Sequence, residues 1–200
     1  MILLTGGSGL LGRHLKVPAL RPSHKEFDIL EPKKLENIEL IIHCAAYTDT
    51  EKAEAEREEC FMTNVVGTLR LSSMYRDVPL VYISSEYAHN PVNWYSRTKQ
   101  IAEAVALDHP GGCLAIRTLF KARPWKYEYA FIDKWTLGDY VDVIAEKIEK
   151  EIKDWDGKTK LIYVGTGRKT YFDLASETKV NVKPNSIRDI KGVKIPSDYK

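Results

Sequence analysis

The first twelve residues, MILLTGGSGLLG, constrain this chain more than any other stretch. Met1 to Leu4 is a short apolar run without alternation, the pattern of a strand buried on both faces of a parallel sheet. It runs directly into Thr5-Gly6-Gly7-Ser8-Gly9-Leu10-Leu11-Gly12. Glycine lets the chain turn sharply, lets backbone N–H groups approach a phosphate, and lets a following helix pack against its strand. Leu10, Leu11 and Leu15 supply the apolar positions of such a helix, whose positive end would face the turn. A glycine-rich turn in isolation is a common tight turn, but one placed directly after an opening strand predicts a pyrophosphate cradle.

The pattern then leaves room for a helix of only about a turn and a half, because Val17-Pro18-Ala19-Leu20 already reads as a second strand. A proline is tolerated at a strand's start or edge. In nucleotide-binding folds an acidic residue at the end of this strand selects NAD through the ribose. Here the chain has Arg21-Pro22-Ser23-His24-Lys25. An arginine with a hydroxyl and a lysine suits a 2′-phosphate, so the expected cofactor is NADP; NAD stands as the alternative if Arg21 and Lys25 are solvated loop charges.

Phe27-Asp28-Ile29-Leu30 and a polar segment lead to a third strand, Glu39 to His43. It ends in Cys44-Ala45-Ala46, small residues that would let a second backbone segment approach a dinucleotide. The β-α-β-α-β alternation to this point predicts an α/β fold, a Rossmann-type doubly wound parallel sheet. Asp49 or Thr50 can cap a helical region rich in Glu and Lys, and a further helix carries Phe61, Val65, Leu69, Leu71 and Met74, with Asn64 inside it.

Leu80 to Ile83 is the next strand, and Ser84-Ser85-Glu86-Tyr87 sits at its carboxyl end, where such sheets face their ligands. A helix starts near Trp94 or Tyr95, and Cys113 to Ile116 is a further strand. Leu119 to Trp135 is rich in aromatic and basic residues and shows no clear period. Tyr140 to Trp155 holds a helical i, i+3, i+4 pattern, stopped by Asp156-Gly157. Leu161 to Val164 reads as a strand, Tyr171 to Ser176 as a short helix, and Val180 to Lys200 as loop with short extended pieces. Residues 1–118 are expected to form the nucleotide-binding domain. Residues 119–200 would supply the rest of the sheet and a small C-terminal substrate lobe, in one compact unit.

Tyr95 and Lys99 lie four apart at a helix start and so share a face. An ammonium beside a phenol favours the phenolate, which predicts a lowered tyrosine pKa and a role as acid or base. Ser85, with Ser84 second, can hold a reacting carbonyl oxygen against that phenol. In a chain with 11 tyrosines such a pair also arises by chance, so its placement behind the Ser-Ser strand end carries the argument.

The motifs Thr5-Gly6-x-x-Gly9-x-x-Gly12, His43-Cys44-Ala45-Ala46, Asn64-Val65-x-Gly67-Thr68, Ser84-Ser85 and Tyr95-x-x-x-Lys99 stand in the order found in extended short-chain dehydrogenases/reductases, which the chain resembles. Within that superfamily, Ala45-Ala46-Tyr47-Thr48, Glu51-Lys52-Ala53-Glu54 and Asn93-x-Tyr95-Ser96-x-Thr98-Lys99 are most similar to the dTDP-4-dehydrorhamnose reductase family. The likeness covers residues 1–118 and thins afterwards, although Gly165-Thr166-Gly167 to Ala175 is similar to that family's C-terminal part.

The resemblance implies that Tyr95 protonates a carbonyl oxygen, Lys99 binds the nicotinamide ribose and tunes Tyr95, and Ser85 bonds the oxygen. It implies cofactor contacts at Gly6, Ser8, Gly9, Leu10, Leu11, Gly12, Arg21, Asp28, Ile29, Cys44, Ala45, Ala46, Tyr47, Asn64 and Ser84, together with Tyr95 and Lys99. Substrate contacts fall on Ser85, Glu86, Tyr87 and Tyr95, with Glu86 standing where the family carries Asp. The implied activity is NAD(P)H-dependent reduction of a nucleotide-linked 4-keto-6-deoxy sugar. The alternatives are a nucleotide-sugar epimerase or dehydratase, and a non-catalytic cofactor-binding regulatory subunit. Ser85 and Tyr95 are separated by a shorter loop than the family's, and the first helix and C-terminal portion are trimmed.

At 200 residues with a formal charge of +2, the chain can bury a sizeable core and shows no basic stripe, so no nucleic-acid partner is expected. Three cysteines, Cys44, Cys60 and Cys113, match no metal or redox spacing and read as buried reduced thiols of a cytoplasmic protein. No metal site, signal peptide or membrane span is expected. The helices around 52–75 and 95–108 read either as core elements or as a homodimer face. His14, His24, His89 and His109 have no partners assignable from sequence.

Overall fold

The computed structural model describes residues 1–190 and 194. In chain order the strands of its main sheet are β1 (Ile2–Thr5), β2 (Ala19–Leu20), β3 (Leu40–His43), β4 (Leu80–Ile83) and β5 (Cys113–Arg117). Four short strands of a lobe follow: β6 (Phe120–Lys121), β7 (Tyr129–Phe131), β8 (Trp135–Thr136) and β9 (Asp139–Tyr140). Strand β10 (Lys160–Tyr163) returns to the main sheet, and β11 (Lys169–Thr170) and β12 (Lys183–Asn185) pair within the lobe. The main sheet runs β10-β5-β4-β3-β1-β2, every pair parallel. The strand order therefore reverses at β1, and the crevice at the carboxyl ends of β1 and β3 is where doubly wound sheets bind ligands.

Alternation along each strand sends neighbouring side chains to opposite faces. Leu3, Ile41, Leu80, Tyr82 and Ala115 pack on one face with Leu71, Tyr75, Ala102 and Ala106. Leu4, Ile42, Val81, Ile83 and Leu114 pack on the other with Ile144 and Ile148. The covering helices are α1 (Arg57–Phe61) and α2 (Gly67–Met74), joined by a π-helical turn over Met62–Val66, then α3 (Trp94–Leu107) on the first face and α4 (Val141–Lys153) on the second. Fully burying each such Leu or Ile contributes about 1.5–3 kcal/mol.

The expected β-α-β-α-β alternation is corrected at its start. Residues 6–14 form successive turns rather than a helix, and no helix occurs between β2 and β3. Few residues separate Gly12 from Pro18, too few to sustain a helix once nucleation is counted. In the second connection Pro22 and Pro32 interrupt the backbone, while Phe27, Ile29 and Ile38 reach into the sheet's first face without helical spacing. Leu11 and Leu15 still bury against the second face.

The lobe is built from three short strand pairs, β6 with β9, β7 with β12 and β8 with β11. With α5 (Tyr171–Ser176) it encloses a second core of Trp125, Ala130, Tyr140, Tyr171 and Leu174. The expected tail is described as far as β12 and a short turn at Ile187–Asp189; positions 191–193 and 195–200 lie outside the described residues.

Candidate active site

A cleft of about 770 Å³ runs over the glycine turn. Its floor is Gly6, Ser8, Gly9, Leu10, Leu11 and Gly12, and its walls include Asp28, Ile29, Cys44, Ala45 and Ala46. Two glycines are required by geometry. Gly6 has φ +69°, and a Cβ there would stand 2.6 Å from the Ala45 nitrogen; a Cβ on Gly12 would stand 2.3 Å from the Gly6 carbonyl oxygen. The Gly9 N–H closes the turn onto Gly6 C=O at 3.0 Å. Among the described residues, the N–H groups of the buried Leu11 and Gly12 make no hydrogen bond. Buried donors without partners are rare, and here they line a cradle that a side chain would fill, so the residues present fit a phosphate-bearing cofactor.

Arg21 has a different part from the one expected. Its guanidinium donates to the carbonyls of Gly12, Leu15 and Val17, the last at 3.0 Å. It does not line the cleft. These carbonyls lie in the segment that lacks a regular helix, and the planar fork of one arginine gathers them instead. The basic side chains that do line the cleft are Arg13, Lys121 and Lys126, with the His24 imidazole beside them.

Asn64 and Tyr47 also act indirectly. Asn64, in the π-helical turn, accepts from Tyr47 N–H at 2.8 Å and donates to Tyr47 C=O at 3.2 Å. The Tyr47 hydroxyl donates to Glu56, and neither residue lines this cleft. They hold the Cys44–Thr48 wall in place. At its root, Thr5 Oγ1 and His43 Nδ1 share a 2.7 Å hydrogen bond, and burial pulls His43 down to about 3, so the ring is neutral. Burial pushes the Cys44 thiol up to about 12, leaving it an uncharged part of the wall.

A second cavity, about 870 Å³, adjoins the first, and Cys44, Ala46, Thr48, Ile83 and Phe120 line both. It is lined by Ser84, Ser85, Tyr87, Tyr95 and Lys99. Helix α3 positions the last two. Asn93 and Ser96 form a capping box at its start, which fixes where the first turn begins and places Tyr95 and Lys99 on the inward face.

Burial pushes the Tyr95 phenol up to about 12, and the nearby Ser85 hydroxyl, which accepts from Tyr87 N–H at 3.2 Å, opposes this in part. The expected lowering by Lys99 is therefore overturned: desolvation of the phenolate sets the direction, and Lys99 is not among the groups that shift the phenol. Burial also pulls Lys99 down to about 7, with the charge of Glu103 opposing. Lys99 Nζ donates to Ile83 C=O at 2.8 Å and lies 4.3 Å from the centre of the Tyr82 ring. Ser84 Oγ donates to Glu103 at 2.6 Å.

Glu86, expected at the substrate, lines neither cavity. Its carboxylate accepts from Thr136 Oγ1 at 2.7 Å and Leu137 N–H at 2.9 Å. It braces the end of β4 against the lobe. Tyr87 does line the second cavity, and its hydroxyl shares a 2.8 Å hydrogen bond with that of Tyr171.

Residues 1–150 match a family model described as the RmlD substrate binding domain. The chain belongs to that family. A dTDP-4-dehydrorhamnose reductase of Mycolicibacterium smegmatis is 28% identical over 178 residues, which cover 74% of this chain and 54% of that protein. A dTDP-4-keto-6-deoxy-D-glucose reductase of Streptomyces niveus is 25% identical, covering 98% of this chain and 82% of the relative. A crystal structure of dTDP-4-dehydrorhamnose reductase from Bacillus anthracis in complex with NADP superposes with a TM-score of 0.80 at 22% identity, over 98% of this chain and 86% of the other. That likeness shows a shared Rossmann-type fold. The chain spans about half the length of the first of these relatives.

Against this family background, the residues that sequence reasoning missed are those of the lobe. Lys121, Trp125, Tyr127, Lys134 and Tyr171 all line the second cavity. The one sequence signal of the first four was the density of aromatic and basic residues between 119 and 135, and Tyr171 stood only at the start of a short expected helix. Thr48, in the first cleft, stood in the Ala45-Ala46-Tyr47-Thr48 motif without being assigned a contact, and Thr63 beside it carried no signal. Among the described residues, no helix is long and apolar enough to cross a membrane, and no cluster of His, Cys, Asp or Glu is arranged to hold a metal.

Proposed function

We propose that this chain reduces a nucleotide-linked 4-keto-6-deoxy sugar with NADPH, Tyr95 acting as proton donor. The observation that carries this reading is the seam between the two cavities: the glycine cradle opens into the space holding Tyr95, Ser85 and Lys99. Bound NADPH supplies hydride to the carbonyl carbon. The turn from Gly6 to Gly12 would hold its diphosphate through unpaired N–H groups, and the Cys44–Ala46 wall would lie along it.

A proton donor must hold its proton until the carbonyl needs it, and burial keeps the Tyr95 phenol protonated at neutral pH. Ser85, which lines the same cavity as Tyr95, is placed to donate to the same carbonyl oxygen and so align it with the phenol. Lys99, when charged, stabilises the phenolate left behind, and its hydrogen bond to Ile83 C=O holds the ammonium in place. Tyr47, Tyr87 and Trp94 pack around Tyr95 and cover the flank of its ring.

The reading extends to a cytoplasmic setting, supported by three free thiols, and to a homodimer through α2 and α3, whose outward faces carry Leu69 and Ile101. The test is to incubate the protein with a dTDP-4-keto-6-deoxy sugar and NADPH and to follow both. Stoichiometric oxidation of NADPH with formation of a 4-hydroxy sugar is expected. A sugar converted without net NADPH oxidation would assign an epimerase or dehydratase instead, and NADPH binding with no conversion would assign a regulatory subunit.

A further inference from the structure

Two lysines of the lobe enter the second cavity with no carboxylate bonded to either. Lys134 is 4% exposed; its Nζ donates to the Tyr87 hydroxyl and lies 4.4 Å from the centre of the Tyr171 ring. Lys121 Nζ lies 5.1 Å from the same ring centre, and among the described residues it makes no hydrogen bond or ion pair. Two lysine amines, both pulled below the ordinary lysine range by burial, thus converge on one aromatic ring in the cavity that holds Tyr95 and Lys99. Glu86, the acid whose charge reaches Lys134, is already bonded to Thr136 and Leu137.

Burying a cation without a counter-charge is costly, and a second cation beside it adds repulsion. The ring faces offset only a part of this. Such a pair is a stability defect in the free protein, and an anion arriving between the two would remove it. Tyr87 ties the arrangement to the chemistry: its hydroxyl fixes Lys134, and its ring meets Tyr95 edge-on with centres 6.4 Å apart.

We propose that Lys121 and Lys134 form an anion subsite that receives a phosphate ester or carboxylate carried by the substrate, and that this charge selects which sugars come to rest beside Tyr95. The inference rests on the reductase reading, which requires a sugar here but does not say which side chains hold its charge.

The test compares the wild-type chain with Lys134→Met, Lys121→Met, the double variant and Lys134→Arg, using calorimetry with three probes: inorganic pyrophosphate, thymidine diphosphate and glucuronate. At least one probe is expected to bind the wild type with salt-sensitive affinity, to bind the double methionine variant about tenfold or more weakly, and to retain most affinity for Lys134→Arg. Lys134 lines only the second cavity, so NADPH affinity is expected to be unchanged in Lys134→Met. Its unliganded Tm is expected to equal or exceed that of the wild type, since a buried charge is gone, which separates the effect from misfolding.

Preference for pyrophosphate and thymidine diphosphate would place a phosphate ester at the lysines, and preference for glucuronate a sugar carboxylate. If no probe binds the wild type more tightly than the double variant, the subsite is overturned even where turnover persists. If probe binding depends on the lysines but NADPH is never consumed, the subsite stands and the reductase reading fails.

Discussion

Asn64 grips Tyr47 by both main-chain groups, accepting from its N–H at 2.8 Å and donating to its C=O at 3.2 Å. The same amide donates to Thr98 Oγ1 at 3.0 Å, and Thr98 donates to the C=O of Tyr95 at 2.8 Å. One buried side chain therefore couples the wall of the first cleft to the first turn of α3. Asn64→Ala leaves Tyr47 N–H and C=O without these partners. A loss of about 1–3 kcal/mol is expected in denaturant unfolding, together with weaker NADPH binding in a fluorescence titration. An Asn64→Ala protein with wild-type stability and NADPH affinity would contradict this coupling.

Arg21 offers a discriminating comparison between the two nicotinamide cofactors. As a clamp on the Gly12, Leu15 and Val17 carbonyls, it supports the turn beneath the diphosphate, which both cofactors share. Arg21→Met is thus expected to weaken NADPH and NADH by similar factors, about tenfold or more. Selective loss of NADPH would instead return Arg21 to a 2′-phosphate contact.

Lys99 predicts an early alkaline decline. Its protonated form is lost as pH rises through about 7, rather than through the usual 10.5. If the charged form stabilises the departing phenolate, kcat/KM for NADPH falls above about pH 7, since this parameter reports the free enzyme's groups. Rate measurements from pH 5.5 to 9.5 would show the descent; a profile flat to pH 9 would remove Lys99 from that role.

Much of the frame was legible because its signals are local. Leu3 and Leu4 announce a strand buried on both faces, the helix expected to start near Trp94 or Tyr95 starts at Trp94, and the glycines at 6 and 12 sit where a Cβ cannot. What sequence concealed depends on distant partners. Nothing near Arg21 signals that three carbonyls will lack a helix, and nothing near Glu86 signals Thr136 and Leu137 on the far side of the lobe. Lys121 and Tyr171 are fifty positions apart, so no periodicity could join them. The pKa of Tyr95 was misjudged for a related reason: spacing reveals a neighbouring lysine, but only the folded chain reveals how completely the phenol is desolvated.

The central claim is that Tyr95 gives its proton to a sugar carbonyl, and the most direct measurement is single-turnover NADPH oxidation by Tyr95→Phe with a dTDP-4-keto-6-deoxy sugar. The ring and its packing remain while the hydroxyl is lost, so NADPH affinity should hold within about twofold and the rate should fall by about 10²–10⁴. Wild-type turnover in Tyr95→Phe would contradict the account.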